Sequence, residues 1–462
     1  MVKLRPVPQA GMTLVEVMVT LVISSIIAAS TFMFFAGQQR IYETQTKLLN
    51  VQQNLWAAME VVARYTRLAG SGMFECVRPA DYASPDPGLQ GYKLLSTNPS
   101  PSPLSADNDL TKVPGAGLRA FNKYTSNMQW IPPLWIVNNS TSDANNSISN
   151  DPLNVRHNTD MLTIAFGNRA SGTDVDALLA PPPTGPAVFN STTLDIILRD
   201  AGTADMFRPW EFVLLLGTPL WGYGNNPSRD RGCTLFQITD IPSAAPKTTL
   251  LHAGNTAAPT PPGSIPWNPS GNVEAMLPEP SRSYDTANAG VRNFGALTWV
   301  SFFIRQTGNG TPNLMMRQWQ VEDPTTQKPV TQILAEGIED LQVSFACDTG
   351  TIATHDLMAL DGALNEGTTD DDKLNDEWWN NVPNDVLPAM GQVGFCNLPT
   401  AVRLTLVART LAPDDLIDAV ATGNGPLDVE DHVFPAPPNR PTDRFRRRVL
   451  TTTVFPRNNK PL

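Results

Sequence analysis

A chain of 462 residues with 41% hydrophobic and 17% charged residues has the composition of a folded protein of one large or two to three average domains. Its formal net charge of −11 excludes general nucleic-acid binding, which needs a cationic footprint. The 42 prolines and 31 glycines exclude a helical bundle and favour short strands joined by long loops.

The N-terminus opens with Lys3 and Arg5, and residues 17–39 then run for 23 positions without a formal charge. As a helix that run measures about 35 Å, enough to cross a bilayer core of about 30 Å. The basic residues ahead of it predict a cytoplasmic start, with the rest of the chain outside. A secretory signal peptide would place a small-residue cleavage site after the apolar run. Neither that reading nor a plain one-span anchor accounts for Glu16 at the edge of the apolar stretch, because a charge there is tolerated only when paired.

No proline occurs between residues 12 and 77. The helical pattern continues to about Ala69, where Gly70 and Gly72 signal a stop. In the second half Ile41, Leu48, Leu55, Met59 and Val62 recur at intervals of 7, 7, 4 and 3. This apolar stripe predicts a helix packed on the chain's own sheet.

After Gly72 the pattern turns to short β-type runs between Pro, Asn, Ser and Gly clusters. Strands are predicted at residues 161–166, 212–216, 235–238, 341–347, 401–410 and 445–455. Two further runs flank an Asn-Gly-containing loop at residues 306–313 and predict a hairpin. Together they predict one antiparallel head with the helix laid across it. Residues 81–158, 168–192, 256–290 and 348–395 read as loops, and no internal repeat is visible.

No catalytic constellation emerges. His157, His252, His355 and His432 are scattered, with no HExxH spacing, and no Walker A, GxSxG or GxGxxG element is present. Asp370, Asp371, Asp372, Asp376 and Glu377 gather carboxylates of the kind a calcium ion takes, but without the EF-hand spacing or its glycine, so a solvated acidic loop is expected. In "FRRR", strand alternation predicts Arg446 and Arg448 on one wet or subunit-facing side. Residues 138–150 hold Asn-x-Ser/Thr sequons and read as a loop. No cofactor is expected.

The run Gly11-Met12-Thr13-Leu14-Val15-Glu16 resembles the class III signal of type IV prepilins and pseudopilins. The resemblance implies a leader of residues 1–11, cut between Gly11 and Met12 by a prepilin peptidase, and N-methylation of Met12, where the family usually carries Phe. Glu16 becomes the fifth mature residue, an assembly residue whose partner is the N-terminal amine of a neighbouring subunit. The chemistry agrees, since cleavage creates an amine four residues before Glu16, on the same helix face. Major pilins commonly carry a helix-kinking proline at mature position 22, whereas this chain has Met33.

"RYTRLAGSGMFEC", "ILAEGIEDLQVSF", "NDEWWNN" and "RRRVLTTTVFPRN" resemble the PilW-like group of minor pilins, and the J-type minor pseudopilins of type II secretion are similar in plan. The fold so implied is α+β and pilin-like, a long N-terminal helix on an antiparallel head with large loop insertions. Its parts are the leader 1–11, the membrane or filament-core segment 12–39, the amphipathic segment 40–72 and the head 73–462. The implied role is that of a minor pilin that primes pilus assembly at or near the tip, serving adhesion and twitching motility. The alternatives are a pseudopilus-tip subunit of type II secretion and a ligand-binding pilus subunit for adhesion or DNA uptake. Implied partners are other minor pilins, the major pilin, the prepilin peptidase and a large tip adhesin; nucleic acid is not expected. The implied location is the inner membrane, single-pass with a periplasmic head, and then the extracellular pilus. A head in that oxidising compartment is expected to form disulfides. Of the three connectivities open to four cysteines, antiparallel pairing of the flanking strands favours Cys347–Cys396 and leaves Cys76–Cys233. Free thiols are the alternative.

Overall fold

The computed structural model describes residues 13–72, 95–96, 118–122, 127–131, 134–137, 155–156, 159–168, 177–178, 195–197, 203–216, 233–243, 249–251, 290–306, 310–322, 329–348, 378–379, 398–411, 427–429, 432–434 and 445–456. Helix α1 spans Leu14–Leu68 without a break, about 80 Å of rod. With no proline to remove a hydrogen bond or crowd the preceding turn, nothing in the sequence kinks it. Its C-terminus is pinned by backbone. Gly70 and Gly72 take the left-handed conformation, at φ 73° and 82°. This lets the Gly70 N–H donate to the Ala165 carbonyl at 3.0 Å and the Ser71 carbonyl accept from the Gly167 N–H at 2.8 Å.

The strands follow in chain order. They begin with β1 (Leu95–Ser96), β2 (Leu118–Asn122), β3 (Asn127–Ile131), β4 (Leu134–Val137), β5 (Met161–Gly167), β6 (Ala177–Leu178) and β7 (Asp195–Ile197). Next come β8 (Phe212–Leu216), β9 (Cys233–Gln237), β10 (Thr249–Leu251), β11 (Gly290–Gly295), β12 (Leu297–Arg305) and β13 (Asn313–Glu322). The last are β14 (Pro329–Glu336), β15 (Ile338–Asp348), β16 (Trp378–Trp379), β17 (Leu398–Arg409), β18 (Leu427–Val429), β19 (His432–Phe434) and β20 (Arg447–Val454). One sheet has the order β1-β4-β5-β12-β13-β14, a second β3-β2-β9-β8-β11-β6 and a third β16-β15-β17-β20. β7 pairs with β10, and β18 with β19.

Two glycines turn the chain from sheet to sheet. Gly295, at φ 76°, stands where β11 of the second sheet passes into β12 of the first. Gly337, also at φ 76°, passes β14 of the first sheet into β15 of the third. A Cβ on Gly337 would meet the Arg409 carbonyl oxygen at 2.9 Å, so both backbone angle and space demand glycine there.

Helix α1 lies on β5, β14, β17 and β20. Val51, Leu55, Ala58, Met59, Val62 and Ala63 are buried in one core with Leu162, Ile164, Val300, Phe302, Leu404 and Leu406. Tyr65 adds ring contacts to Phe302 and Phe166, with centroids 5.5 and 6.0 Å away. Burial of the four larger side chains, Val51, Leu55, Met59 and Val62, is worth roughly 6–12 kcal/mol. That is enough to hold the rear of the helix to the head as one unit.

The arrangement is α+β, a long N-terminal helix packed on antiparallel sheets, as predicted. The predicted strands are present, and the predicted hairpin is β12–β13, closing at Arg305 opposite Asn313. Four expectations are corrected. There are several sheets, not one, because Gly295 and Gly337 break the strands between them, and two pairings, β1–β4 and β2–β9, are parallel. Residues 81–158 are not all loop, since they contain β1 to β4; Leu134 and Ile136 of β4 reach the core beneath the helix. The stretches read as loops at 168–192 and 348–395 contain the two-residue strands β6 and β16. Ile41 is 48% exposed, so the covered stripe begins only near Leu48, where the helix meets the head.

Candidate functional site: the bare helix and its anchor

Among the described residues, none covers the front half of α1. Leu14, Val15, Met18, Leu21, Ile26, Ile27, Phe32 and Phe35 are all exposed, on every side of the helix. An 18-residue window has mean hydropathy 2.2 and none of it is buried. Leaving such a surface in water would cost on the order of tens of kcal/mol, so it requires lipid or other apolar helices around it. Four of its hydroxyls bond back to the helix. Thr20 donates to the Glu16 and Val17 carbonyls, each at 2.9 Å; Ser25 to Val22 at 2.7 Å; Ser30 to Ile26 at 2.9 Å; Thr31 to Ile27 at 2.8 Å. Hydroxyls bonded back to the helix in this way are tolerated in hydrocarbon.

Thr13 caps this helix. Its backbone is extended, with φ −76° and ψ 150°, and its Oγ1 accepts from the Glu16 N–H at 3.3 Å. Thr13 and Glu16 therefore occupy the first and fourth places of a capping box, a Thr-x-x-Glu pattern that is local in the sequence. Glu16 is the acidic residue of the first turn, exposed, where a carboxylate suits the helix dipole.

The anchor of the head is a buried ion cluster. Glu339 follows Gly337 by two residues, at a shift in the β15–β17 register between Ile338 and Asp340. Its side chain is only 4% exposed. Arg447 Nε donates to Glu339 Oε2 at 2.6 Å and Nη2 to Oε1 at 3.2 Å, a two-point clamp. Arg156 approaches Oε1 at 3.3 Å and also donates to the Glu339 carbonyl. Arg409 stands 4.0 Å from Oε1, its guanidinium over the Phe445 ring at 4.3 Å. Burial pushes the Glu339 carboxyl up, but the hydrogen bonds of Arg447 and the charges of Arg447, Arg156 and Arg409 outweigh it and hold the group below its usual range. Arg409 and Arg447 sit directly opposite each other on β17 and β20. Such like charges repel; the Glu339 carboxylate between them turns the repulsion into a lock on three strands. A second carboxylate, that of the fully buried Asp160, accepts from the Val343 N–H at 2.7 Å and ties the start of β5 to β15.

In the sequence Glu339 is one letter of the "ILAEGIEDLQVSF" signature, with no role of its own, and alternation puts Arg446 and Arg448 on the outer side. In the fold Arg448 is exposed and Arg446 half-buried, while Arg447 between them turns inward. The acid that "FRRR" grips lies in its own chain. The available signal is an acid between apolar Ile338 and Leu341 in a strand, paired with the middle of three arginines.

Gly11, Met12, Cys76, Cys396, the cluster from Asp370 to Glu377, His157, His252, His355 and residues 138–150 lie outside the described residues. Cys233 and Cys347 are described by backbone alone, as is His432 in β19. The pairing on which the cysteine reading rests is present: β15 and β17 run antiparallel, with Cys347 opposite Pro399, three residues after Cys396.

Comparison with known families gives two matches. Residues 301–458 match the family described as Type IV Pilus-assembly protein W, PilW, and residues 8–32 match the Prokaryotic N-terminal methylation motif. The first runs from within β12 to beyond β20, including Gly337, Glu339, Arg409 and Arg447 but not Arg156; the second covers the cap, Glu16 and the bare helix as far as Phe32. No curated protein matches the chain.

Proposed function

We propose that this chain, which belongs to the PilW family of type IV pilus-assembly proteins and carries a prepilin-type N-terminus, is a minor pilin that primes pilus assembly and stands at or near the tip with other minor pilins, where its large head offers a seat for an adhesin. The observation that carries the reading is one continuous helix with two fates: its front half bare and apolar all round, its rear half fixed in the head. Before assembly the front half lies in the inner membrane, N-terminus in the cytoplasm and head in the periplasm. Prepilin peptidase cuts between Gly11 and Met12, and Met12 is methylated. The helix then passes from lipid to the helices of neighbouring subunits. Lipid tails and apolar side chains are similar surroundings, so this handover has a small free-energy change, whereas release into water would be prohibitive. Glu16, the acidic residue near the start of that core, takes the new amine of a neighbour and fixes the axial register. The role is structural, not catalytic.

A deletion strain tests it. Surface-sheared pili should be lost while secretion of folded exoproteins stays normal. Intact pili with failed secretion would instead identify a type II secretion pseudopilus subunit.

A further inference from the structure

The head holds a strained tryptophan to which the pilin reading gives no part. Among the described residues, Trp210 is the one non-glycine with a positive φ, at 72°. A bulky side chain keeps that conformation only where its surroundings over-determine it, and such strain gathers at functional sites. The strain sits in a turn. The Glu211 N–H donates to the Arg208 carbonyl at 3.2 Å, with Pro209 and Trp210 between them. Proline followed by a positive φ is the pattern of a type II turn, whose third place ordinarily holds glycine or asparagine. The turn is pinned from two strands. The Trp210 N–H donates to the Ile238 carbonyl at 2.6 Å and the Ile238 N–H to the Glu211 carbonyl at 2.8 Å, continuing the β8–β9 ladder. Asn293 of β11, 2% exposed, donates through Nδ2 to the Met206 carbonyl at 2.9 Å and to Glu211 Oε2 at 3.2 Å. Its Oδ1 accepts from the Gly295 N–H at 2.8 Å. The Trp210 ring itself is half-buried and has no hydrogen-bond or ring partner among the described residues. Asp205, Met206, Arg208 and Pro209 beside it in the chain are exposed. All of them lie outside the two stretches that match known families.

We propose that Trp210 is the platform of a binding site for a neutral saccharide, flanked by Arg208 and Glu211. A half-buried ring rests against the protein with part of its surface open, which offers a flat seat; a ring meant to plug a partner's pocket would stand clear of its own chain. The indole face carries negative charge density and attracts the weakly positive C–H groups that line one side of a sugar ring, while its N–H is a donor in search of an acceptor. The polar groups beside it are of both kinds. Arg208 donates, and the Glu211 carboxylate, with one oxygen bonded to Asn293, keeps acceptor sites to spare. Hydroxyls both donate and accept, so they use such a mixed set in full. An anionic ligand would meet the carboxylates of Asp205 and Glu211 as well as the one guanidinium. Rigidity completes the argument. Contacts to a sugar are individually weak and are lost if the site must be ordered on binding. Here the ordering is done at folding, because the ladder to Ile238 and the Asn293 bridge hold the turn in a conformation that tryptophan would otherwise leave.

The test uses the full-length chain in detergent, labelled with fluorotryptophan and titrated in turn with cellohexaose, chitohexaose, maltohexaose and the acidic hexagalacturonate. The fluorine resonance missing from Trp210→Phe identifies position 210. That resonance is expected to shift saturably with at least one of the three neutral oligosaccharides, while those of the buried Trp299 and Trp319 stay in place. Calorimetry should show the Kd weakened about tenfold or more by Trp210→Gly, a residue the turn accepts without strain, and about tenfold by Arg208→Ala. Unmoved resonances of the other tryptophans in each variant show that the fold is kept. No shift at position 210 with any neutral oligosaccharide, tighter binding of hexagalacturonate, or an affinity unchanged by Trp210→Gly would overturn the site. So would a photo-crosslink from Met206→p-benzoylphenylalanine to another protein in cells without saccharide binding, which would assign the platform to that protein. The binding is read on the isolated chain, so its failure leaves the pilin reading untouched.

Discussion

Replacing Glu339 with Gln keeps the size of the side chain and removes its charge. The carboxylate is 4% exposed, receives two hydrogen bonds from Arg447 and faces the guanidinium groups of Arg156 and Arg409. Breaking a buried ion pair by removing one partner costs about 3–5 kcal/mol, because the remaining charge stays buried. Here Arg409 and Arg447 would also confront each other across β17 and β20. A 3–5 kcal/mol loss lowers the midpoint by roughly 10 °C in a domain of a few hundred residues. Thermal unfolding of the detergent-solubilised chain, followed by far-UV circular dichroism, reads it. The pH dependence gives the sign. The folded carboxyl titrates below its ordinary value of 4.5, so its stabilisation is fully present above that pH and is lost as pH falls through the folded value. The wild type should therefore exceed Glu339→Gln at neutral pH and converge on it in strong acid. Added salt should change the gap little, because the cluster is mostly shielded from solvent. Equal midpoints at pH 7, or a gap that does not shrink in acid, would refute the clamp.

Gly337→Ala should lower stability by about 1–3 kcal/mol, since the position has φ 76° and the new Cβ would press on the Arg409 carbonyl oxygen at 2.9 Å; chemical denaturation midpoints report the loss. Glu16→Ala should leave leader removal intact and reduce the chain's recovery from sheared filaments, measured by immunoblot; normal incorporation would remove the role given to Glu16. Non-reducing peptide mapping should recover Cys347 linked to Cys396 and Cys76 linked to Cys233; any other linkage contradicts the strand argument.

The parts of the fold written in local pattern were legible. Helix α1 follows from a proline-free run ended by Gly70 and Gly72, and the β12–β13 hairpin follows from two apolar runs around an Asn-Gly loop. What escaped depends on contacts distant in the sequence. β2, β3 and β4 are short strands of mixed composition, held by pairing with partners such as β5 and β9. The Glu339 cluster joins residues 156, 339, 409 and 447, and alternation along one strand can tell which face Arg447 takes but not which acid waits there. Which apolar series of the helix stays exposed was hidden for a further reason. Ile41, Leu48 and Leu55 keep the same seven-residue spacing as Tyr42, Leu49 and Trp56, and only the head's position shows which series is covered.

The central claim, that the anchor becomes filament core once its leader is gone, is tested most directly by mass spectrometry of the chain's N-terminal peptide from surface-sheared pili. A peptide beginning at N-methylated Met12, with residues 1–11 absent, is expected. A chain that keeps Met1, or one cut after the apolar run, would contradict it.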